Sequence, residues 1–415
     1  MHTSSGAGRT TLLLFYNLLA LLSLGFAPAA AFATASSPSD IDMVPSDLSQ
    51  TSGASTSGTS GTIDVSSGAS LKRKPDRDLH LILDFDGTCT NSDTTPLLPR
   101  LASLHSNDTP QQREQRLGAF QKLEQEYFDN YCKVREDILR CETEIDDSNG
   151  ESSDRSSRSY DPSNPDHLHE ALEALDEVST RVTHKVTSSS CLAGMPTTVK
   201  QITQLIEENE EVREAVSLQK GCLDAICRAR LQHGWRLGVL SINWCPALIG
   251  AALVTPIEQK LKAQVVEVES IEEEQGDTEV WCNEITHKGE VRLTIPGASA
   301  KRELIASIKC RKQAENNFGD KEKSIVVYVG DSSTDLLGML EADIGIMVGE
   351  SSTVTNIAKK WCVKISHIST RNNESNGIKD GGTRNSGLHE RDSNTVWMVD
   401  GWDDIDDLLQ RISGV

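Results

Sequence analysis

An α/β fold, with a parallel sheet, helices on both of its faces and an inserted helical segment, is predicted by three observations. Short unbroken apolar runs recur along the chain, amphipathic stretches separate them, and acidic residues follow two of the runs directly. The chain has 415 residues, room for two or three domains, with 62 acidic against 41 basic residues and a net charge of -21. That balance excludes non-specific nucleic-acid binding, which needs a basic footprint. Hydrophobic residues are 37% and aromatics 4%, so part of the chain is expected to lie outside any packed core. The ten cysteines contain no C-x-x-C pair, which argues against a zinc site and for free thiols.

The first element is a targeting segment. Residues 12 to 26, LLLFYNLLALLSLGF, follow Arg9 and precede three alanines at 29 to 31. A signal peptide over 1 to 31 is predicted, with an uncleaved anchor as the alternative. Apart from this run no stretch approaches a membrane span, so no stable span is expected after processing. Phe32 then heads a Ser/Thr-rich segment, 32 to 75, either a transit sequence or a disordered linker. The order of signal peptide, Phe32 and Ser/Thr-rich stretch resembles the bipartite leaders of algae with complex plastids. It implies plastid import, with a secretory or extracellular destination as the alternative.

LHLILDF, 79 to 85, reads as a buried parallel strand ended by Asp-Gly. Thr109-Pro110 caps a helix whose apolar stripe is Leu117, Phe120, Leu123, Tyr127, Tyr131, Val134 and Ile138. A polar break at 142 to 166 is read as disordered. A second helix runs through Leu168, Leu172, Leu175, Val178 and Val182, and a third lies within 197 to 215. CLDAICRARLQHG is a helix closed by Gly234. WRLGVLS is a strand, ALIGAAL a helix, SIVVYVGD a strand, and the segment through Leu336, Leu337 and Leu340 a helix. IGIMVG and WCVKIS are strands, 367 to 395 a disordered insertion, and TVWMV and DDIDDLLQRI a closing strand and helix.

Four pieces at predicted strand or helix ends can carry chemistry. Asp84-Phe85-Asp86-Gly87-Thr88 offers two carboxylates one residue apart, so one can attack phosphorus while the other handles a leaving-group proton. Ser241 follows RLGVL and could bond a phosphate oxygen. Lys301, in PGASAKREL, could neutralise phosphate. Gly330-Asp331-Ser332-Ser333-Thr334-Asp335 supplies the oxygen ligands that suit Mg²⁺. Each piece alone also fits an ordinary role: an Asp-rich turn, a turn serine, a solvated lysine, a helix cap at Asp335.

Together and in this order they match the four motifs of the haloacid-dehalogenase-like phosphohydrolase superfamily, which the chain resembles over residues 79 to 366. The resemblance implies a Rossmann-like core, 76 to 100 with 221 to 415, and a C1-type helical cap, 101 to 220. It implies Asp84 as nucleophile and Asp86 as general acid and base. Thr88, Ser241 and Lys301 would bind phosphate. Mg²⁺ is the implied cofactor, held by Asp84, the Asp86 backbone carbonyl and Asp331, with Asp335 positioning the metal or its waters. DFDGTCTNSD, VLSINW, NEITHKGEV and YVGDSSTDLLGMLEADIGIMVG are similar to the phosphatase domain of plant thiamine-monophosphate phosphatases and to proteins resembling phosphoserine phosphatase. The implied activity is Mg²⁺-dependent hydrolysis of a small-metabolite phosphate monoester through an aspartyl-phosphate. Thiamine monophosphate, phosphoserine, a nucleotide and a sugar phosphate are the candidate partners. A catalytically silent protein of the same fold is the alternative from another class. A receiver domain is too short to match, and a cation pump needs membrane helices. The sequence sets no oligomeric state.

Overall fold

The computed structural model describes residues 78–140, 160–265, 278–316, 324–368 and 394–414. The predicted leader and linker at 1 to 75, most of the break at 142 to 166 and most of the insertion at 367 to 395 lie outside the described residues. Among the described residues no helix is long and apolar enough to cross a membrane.

Seven parallel strands form the sheet: β1 (Leu79–Leu83), β2 (Arg236–Leu240), β3 (Glu279–Trp281), β6 (Ile325–Gly330), β7 (Ile344–Val348), β8 (Lys364–His367) and β9 (Thr395–Val399). Their order is β3-β2-β1-β6-β7-β9-β8. A separate antiparallel pair joins β4 (Glu284–Ile285) to β5 (Val291–Arg292). The chain first builds outward from β1 through β2 and β3, then crosses to β6 on the other side of β1. That reversal opens a crevice beyond the carboxyl ends of β1 and β6. The pairing Leu83↔Val239 and Leu83↔Val329 sets the three strand ends side by side.

Period-two alternation sends β1 side chains to both faces. Leu79, Leu81 and Leu83 enter one packed cluster and Ile82 the other, as do Val327 and Val329 against Val326 and Tyr328. Burial on both faces explains why these strands read as unbroken apolar runs. Each fully buried side chain of this size contributes about 1.5–3 kcal/mol. The first face is covered by α1 (Leu98–His105), α6 (Cys222–His233), α7 (Pro246–Ile249) and α12 (Trp402–Ile412). The second is covered by α9 (Ala298–Asn316), α10 (Leu336–Glu341) and α11 (Ser352–Lys360).

Between β1 and β2 the chain inserts α2 (Pro110–Leu139), α3 (Pro165–Ser189), α4 (Val199–Glu208) and α5 (Glu210–Ala215). Helix α2 starts where predicted, with Thr109 and Gln112 forming a reciprocal capping box and Pro110 in the first turn. Its stripe is divided: Leu123 and Tyr127 pack on the first cluster, Tyr131 and Val134 on the second. Helix α3 is divided likewise, with Leu168, Leu172 and Leu175 on the second cluster and Val182 and Val186 on the first. Helix α1 runs across the expected core–cap boundary at residues 100 and 101.

Several expected elements change shape. The single helix expected within 197 to 215 is two, broken at Asn209, whose side chain accepts from the Val212 N–H (3.1 Å) and starts α5. The helix expected at 247 to 253 is longer: α7 passes through a π-helical stretch, Gly250–Val254, into α8 (Thr255–Val265). WCVKIS is strand only from Lys364. Trp361 still caps α11, and Cys362 has a positive φ of 54° that turns the chain. The polar break ends before 166, since Tyr160 is buried beside Trp361 and Pro165 already begins α3. The insertion at 367 to 395 is likewise shorter, because His367 ends β8 and Thr395 begins β9.

Candidate active site

Asp84 leaves β1 with its backbone N–H bonded to the Val329 carbonyl of β6 (2.9 Å). The site therefore sits at the crevice between these strand ends. Its carboxylate accepts from Lys301 Nζ (2.8 Å) and lies beside Asp331 and Asp335, with one oxygen from each of the three within 4.8 Å of the others. Burial pushes the Asp84 carboxyl well above its ordinary value. Lys301 draws it down, and the Asp335 and Asp331 charges add to the rise.

Lys301 is fully buried in α9, its amine shared between Asp84 and Asp335 (2.6 Å). Burial alone would discharge it, but the Asp335 and Asp84 carboxylates outweigh burial and hold it protonated. Asp335 also accepts from Tyr328 Oη (2.6 Å), Ser332 Oγ (2.7 Å) and the N–H groups of Asp331 and Ser332. Burial opposes its charge, yet Lys301 and these donors bring its carboxyl below the ordinary value. Both oxygens of Asp335 are thus engaged within the protein. Asp331 accepts from Thr88 Oγ1 (2.8 Å). Burial first and Asp335 second push its carboxyl to about 7. Gly87, at φ +74°, lies against it: a Cβ there would stand 2.5 Å from Asp331 Oδ2, so glycine is required on both counts.

Asp86 faces the other way. Its Oδ1 accepts from Thr94 N (2.8 Å) and Thr94 Oγ1 (2.6 Å), and its Oδ2 from Asn243 Nδ2 (2.7 Å). Burial, then the nearby Asp93 charge, raise it to about 6 against these bonds. Ser241 follows β2, fully buried, its N–H on the Trp281 carbonyl (3.0 Å) and its Oγ accepting from Asn243 N (3.2 Å). Its hydroxyl proton can still be donated.

The structure brings Asp84, Lys301, Asp331 and Asp335 into one cluster, with Thr88 hydrogen-bonded to Asp331. The donor set facing the crevice is all carboxylate oxygen, with several negative charges against one lysine, and Asp84 and Asp331 are raised first by burial and then by that crowding. These residues fit a hard divalent cation. Asp86 can join such a set only through its backbone, since its side chain is taken by Thr94 and Asn243.

No family model matches the chain. The bifunctional TH2 protein, mitochondrial, of Arabidopsis thaliana is 26% identical over 313 residues, covering 71% of this chain and 43% of that protein. The chain thus spans less than half the length of this curated relative. Three of this chain's four motifs follow the adjoining ends of β1, β2 and β6, and the fourth, Lys301, reaches them from the first turn of α9. The chain resembles the haloacid-dehalogenase-like phosphohydrolases. Among solved structures, a phospho-aspartyl intermediate analogue of phosphoserine phosphatase is 16% identical, with a TM-score of 0.32, covering 68% of this chain and 90% of that one. A protein of unknown function from Bordetella pertussis Tohama I is 12% identical, with a TM-score of 0.35, covering 68% and 95%. Scores this low add nothing to what the sheet order shows.

Beyond the motifs of this superfamily, the site uses residues the sequence did not single out. Thr94 and Asn243 hold Asp86, and Tyr328 holds Asp335. Gln219 Nε2 donates to the Gly87 carbonyl (2.6 Å), and the Trp402 indole to the Thr88 carbonyl (3.0 Å), fixing the loop after β1 from behind. Tyr328 had a signal, because a tyrosine inside a buried strand needs a partner for its hydroxyl.

Proposed function

We propose that the protein is a Mg²⁺-dependent phosphatase of a small-metabolite phosphate monoester, working through an aspartyl-phosphate. The observation that carries this reading is the unequal setting of the two aspartates. Asp84 lies against the buried Lys301 ammonium, where an attacking carboxylate and a phosphoryl group would both find positive charge. Asp86 is held by neutral donors with its carboxyl at about 6, suited to give a proton and take one back near neutrality.

An Asp84 oxygen forms a bond to phosphorus as the ester P–O bond breaks, and Asp86 gives its proton to the departing alkoxide. Asp86 then takes a proton from water as that water attacks the aspartyl-phosphate, releasing inorganic phosphate and restoring Asp84. Lys301 and the Ser241 hydroxyl hold the phosphoryl oxygens. Thr88 contributes there through its hold on Asp331. Mg²⁺ bound by Asp84, Asp331 and the Asp86 carbonyl would offset the carboxylate charges and the phosphate. Asp335 orients Lys301 and the loop carrying Asp331.

Motif resemblance makes thiamine monophosphate the first substrate to try, ahead of phosphoserine, nucleotides and sugar phosphates. Purified protein, assayed with Mg²⁺ and with chelator against a panel of these esters, tests the reading. Metal-dependent release of phosphate is expected, with thiamine monophosphate among the better substrates. A panel in which it ranks with the poorest removes that assignment. The domain division proposed with this function is a core of 76 to 100 and 221 to 415 under a cap of 101 to 220. For destination, plastid import through Phe32 is the reading, set against a plant relative whose name says mitochondrial. A reporter fusion carrying Phe32→Ala should lose plastid entry.

A further inference from the structure

Helix α9 places Lys301, and it begins without a side-chain cap of its own. Gly297 stands at its N-terminus, its carbonyl accepting the first helical bond from Lys301 N (3.1 Å). A glycine there offers nothing to the free N–H groups of the first turn. Those of Ala298 and Ser299 donate instead to Asp176, which belongs to α3 and lies 123 residues from Ser299 in sequence (3.4 Å from its N–H). The fit is close: a methyl group added at Gly297 would overlap the Asp176 carboxylate. The absence of a side chain at 297 makes room for a cap supplied by another element.

We propose that Asp176 is a positioning residue for Lys301: by capping α9 from the inserted helix α3, it makes the seating of the inserted helices and the setting of the phosphoryl-binding amine one event. The capping contact stands by itself, while its catalytic meaning rests on the phosphatase reading above. Lys301 is only four residues from Gly297, so fraying of the first turn moves the backbone from which its amine reaches Asp84 and Asp335. Burial pushes the Asp176 carboxyl up to about 6 against the pull of the two N–H groups, so here the acceptor oxygen matters more than the charge. A neutral amide should therefore replace it. The inserted helices keep other anchors: Tyr131 Oη lies 2.8 Å from Ser333 Oγ, and Lys360 Nζ caps the end of α2 at the Ile138 carbonyl (2.6 Å). Loss of Asp176 should therefore leave the chain folded.

The test compares full-length wild type with Asp176→Leu, Asp176→Asn and Gly297→Ala. In Asp176→Leu, amide exchange in the first turn of α9 should quicken about fivefold, the size of effect a lost helix cap gives. Turnover should fall about tenfold by the same factor for an alkyl phosphate and for p-nitrophenyl phosphate, because Lys301 meets the phosphoryl group common to both. The inhibition constant for inorganic phosphate should rise with it. Gly297→Ala should follow Asp176→Leu, and Asp176→Asn should stay within about twofold of wild type throughout. Unchanged exchange in Asp176→Leu overturns the proposal. So does a loss that depends on the ester, which would make Asp176 a leaving-group contact, and so does a lowered melting temperature with phosphate inhibition intact. Should wild type hydrolyse no ester at all, the phosphatase reading fails alone, and exchange together with direct binding of inorganic phosphate still decides this one.

Discussion

On the β6 side of the loop after β1, Asp84 meets Lys301, Asp331 and Asp335; on the β2 side, Asp86 meets the hydroxyl and N–H of Thr94 and the amide of Asn243. The first flank is ionic and largely buried, with Asp331 half-buried. Its charges fix one another so firmly that Lys301 stays protonated and Asp335 ionised. Such a flank sets an ammonium against the Asp84 carboxylate, where on the proposed function a phosphoryl group would be held. The second flank contains no cation. Neutral donors hold the Asp86 geometry without fixing its protonation, which leaves a carboxyl that titrates near 6. On the proposed function, this difference in partner type, one residue apart, is what would divide nucleophile from proton carrier.

Removing the proposed nucleophile should have the largest effect. Asp84→Asn should abolish turnover of every ester while circular dichroism stays native, since an amide is a poor nucleophile; measurable turnover would remove covalent catalysis. Next, Asp86→Asn should slow the phosphorylation burst with an alkyl phosphate by about 10² to 10⁴, the usual weight of a general acid. The p-nitrophenol burst should be spared, because that leaving group departs without a proton. Rapid-quench kinetics reads both, and equal losses would erase the distinction between the flanks.

Lys301→Met tests the ionic flank as structure. It strands two buried carboxylates and should cost about 3–5 kcal/mol in a urea titration. A smaller change would mean that water or a cation fills the gap. Asn243→Ala tests the neutral flank. It leaves Asp86 Oδ2 and the Cys245 N–H without a protein partner, for a loss of about 1–3 kcal/mol by the same measurement.

The smallest effect concerns Asp176. Its folded carboxyl titrates near 6, above the ordinary 3.8, so the folded state binds the proton more tightly than the unfolded one. The cost of burying its charge is therefore fully present above pH 6 and fades as pH falls toward 4. The stability gained by Asp176→Asn should be greatest above pH 6 and shrink between pH 6 and 4. A difference that is flat with pH would place the carboxylate in water.

What the sequence announced follows from locality. Strands β1, β6 and β7 are buried on both faces and read as apolar runs, whereas β3, a three-residue edge strand with Glu279 exposed, left no pattern. Helix α11 was missed because only Val354, Ile357 and Ala358 of its nine residues are buried. In the site, motif residues were legible because each carries a side-chain function at a strand or helix end. Gln219 and Trp402 were not, since each serves a main-chain carbonyl, 132 and 314 residues distant, and a carbonyl leaves no trace in the sequence. Asp176 was hidden likewise, its partners being two N–H groups.

The indole of Trp402 carries a consequence for synthesis. It is the first residue of α12, beyond every strand of the sheet, and its N–H holds the carbonyl of Thr88, two residues after Asp86 in the first stretch of the site to be made. A nascent chain that has emerged as far as β9 already contains Asp84, Asp86, Ser241, Lys301 and Asp331. It still lacks the strut that sets the loop between them. The order of translation therefore leaves the Thr88 carbonyl without its indole partner until residue 402 leaves the exit tunnel.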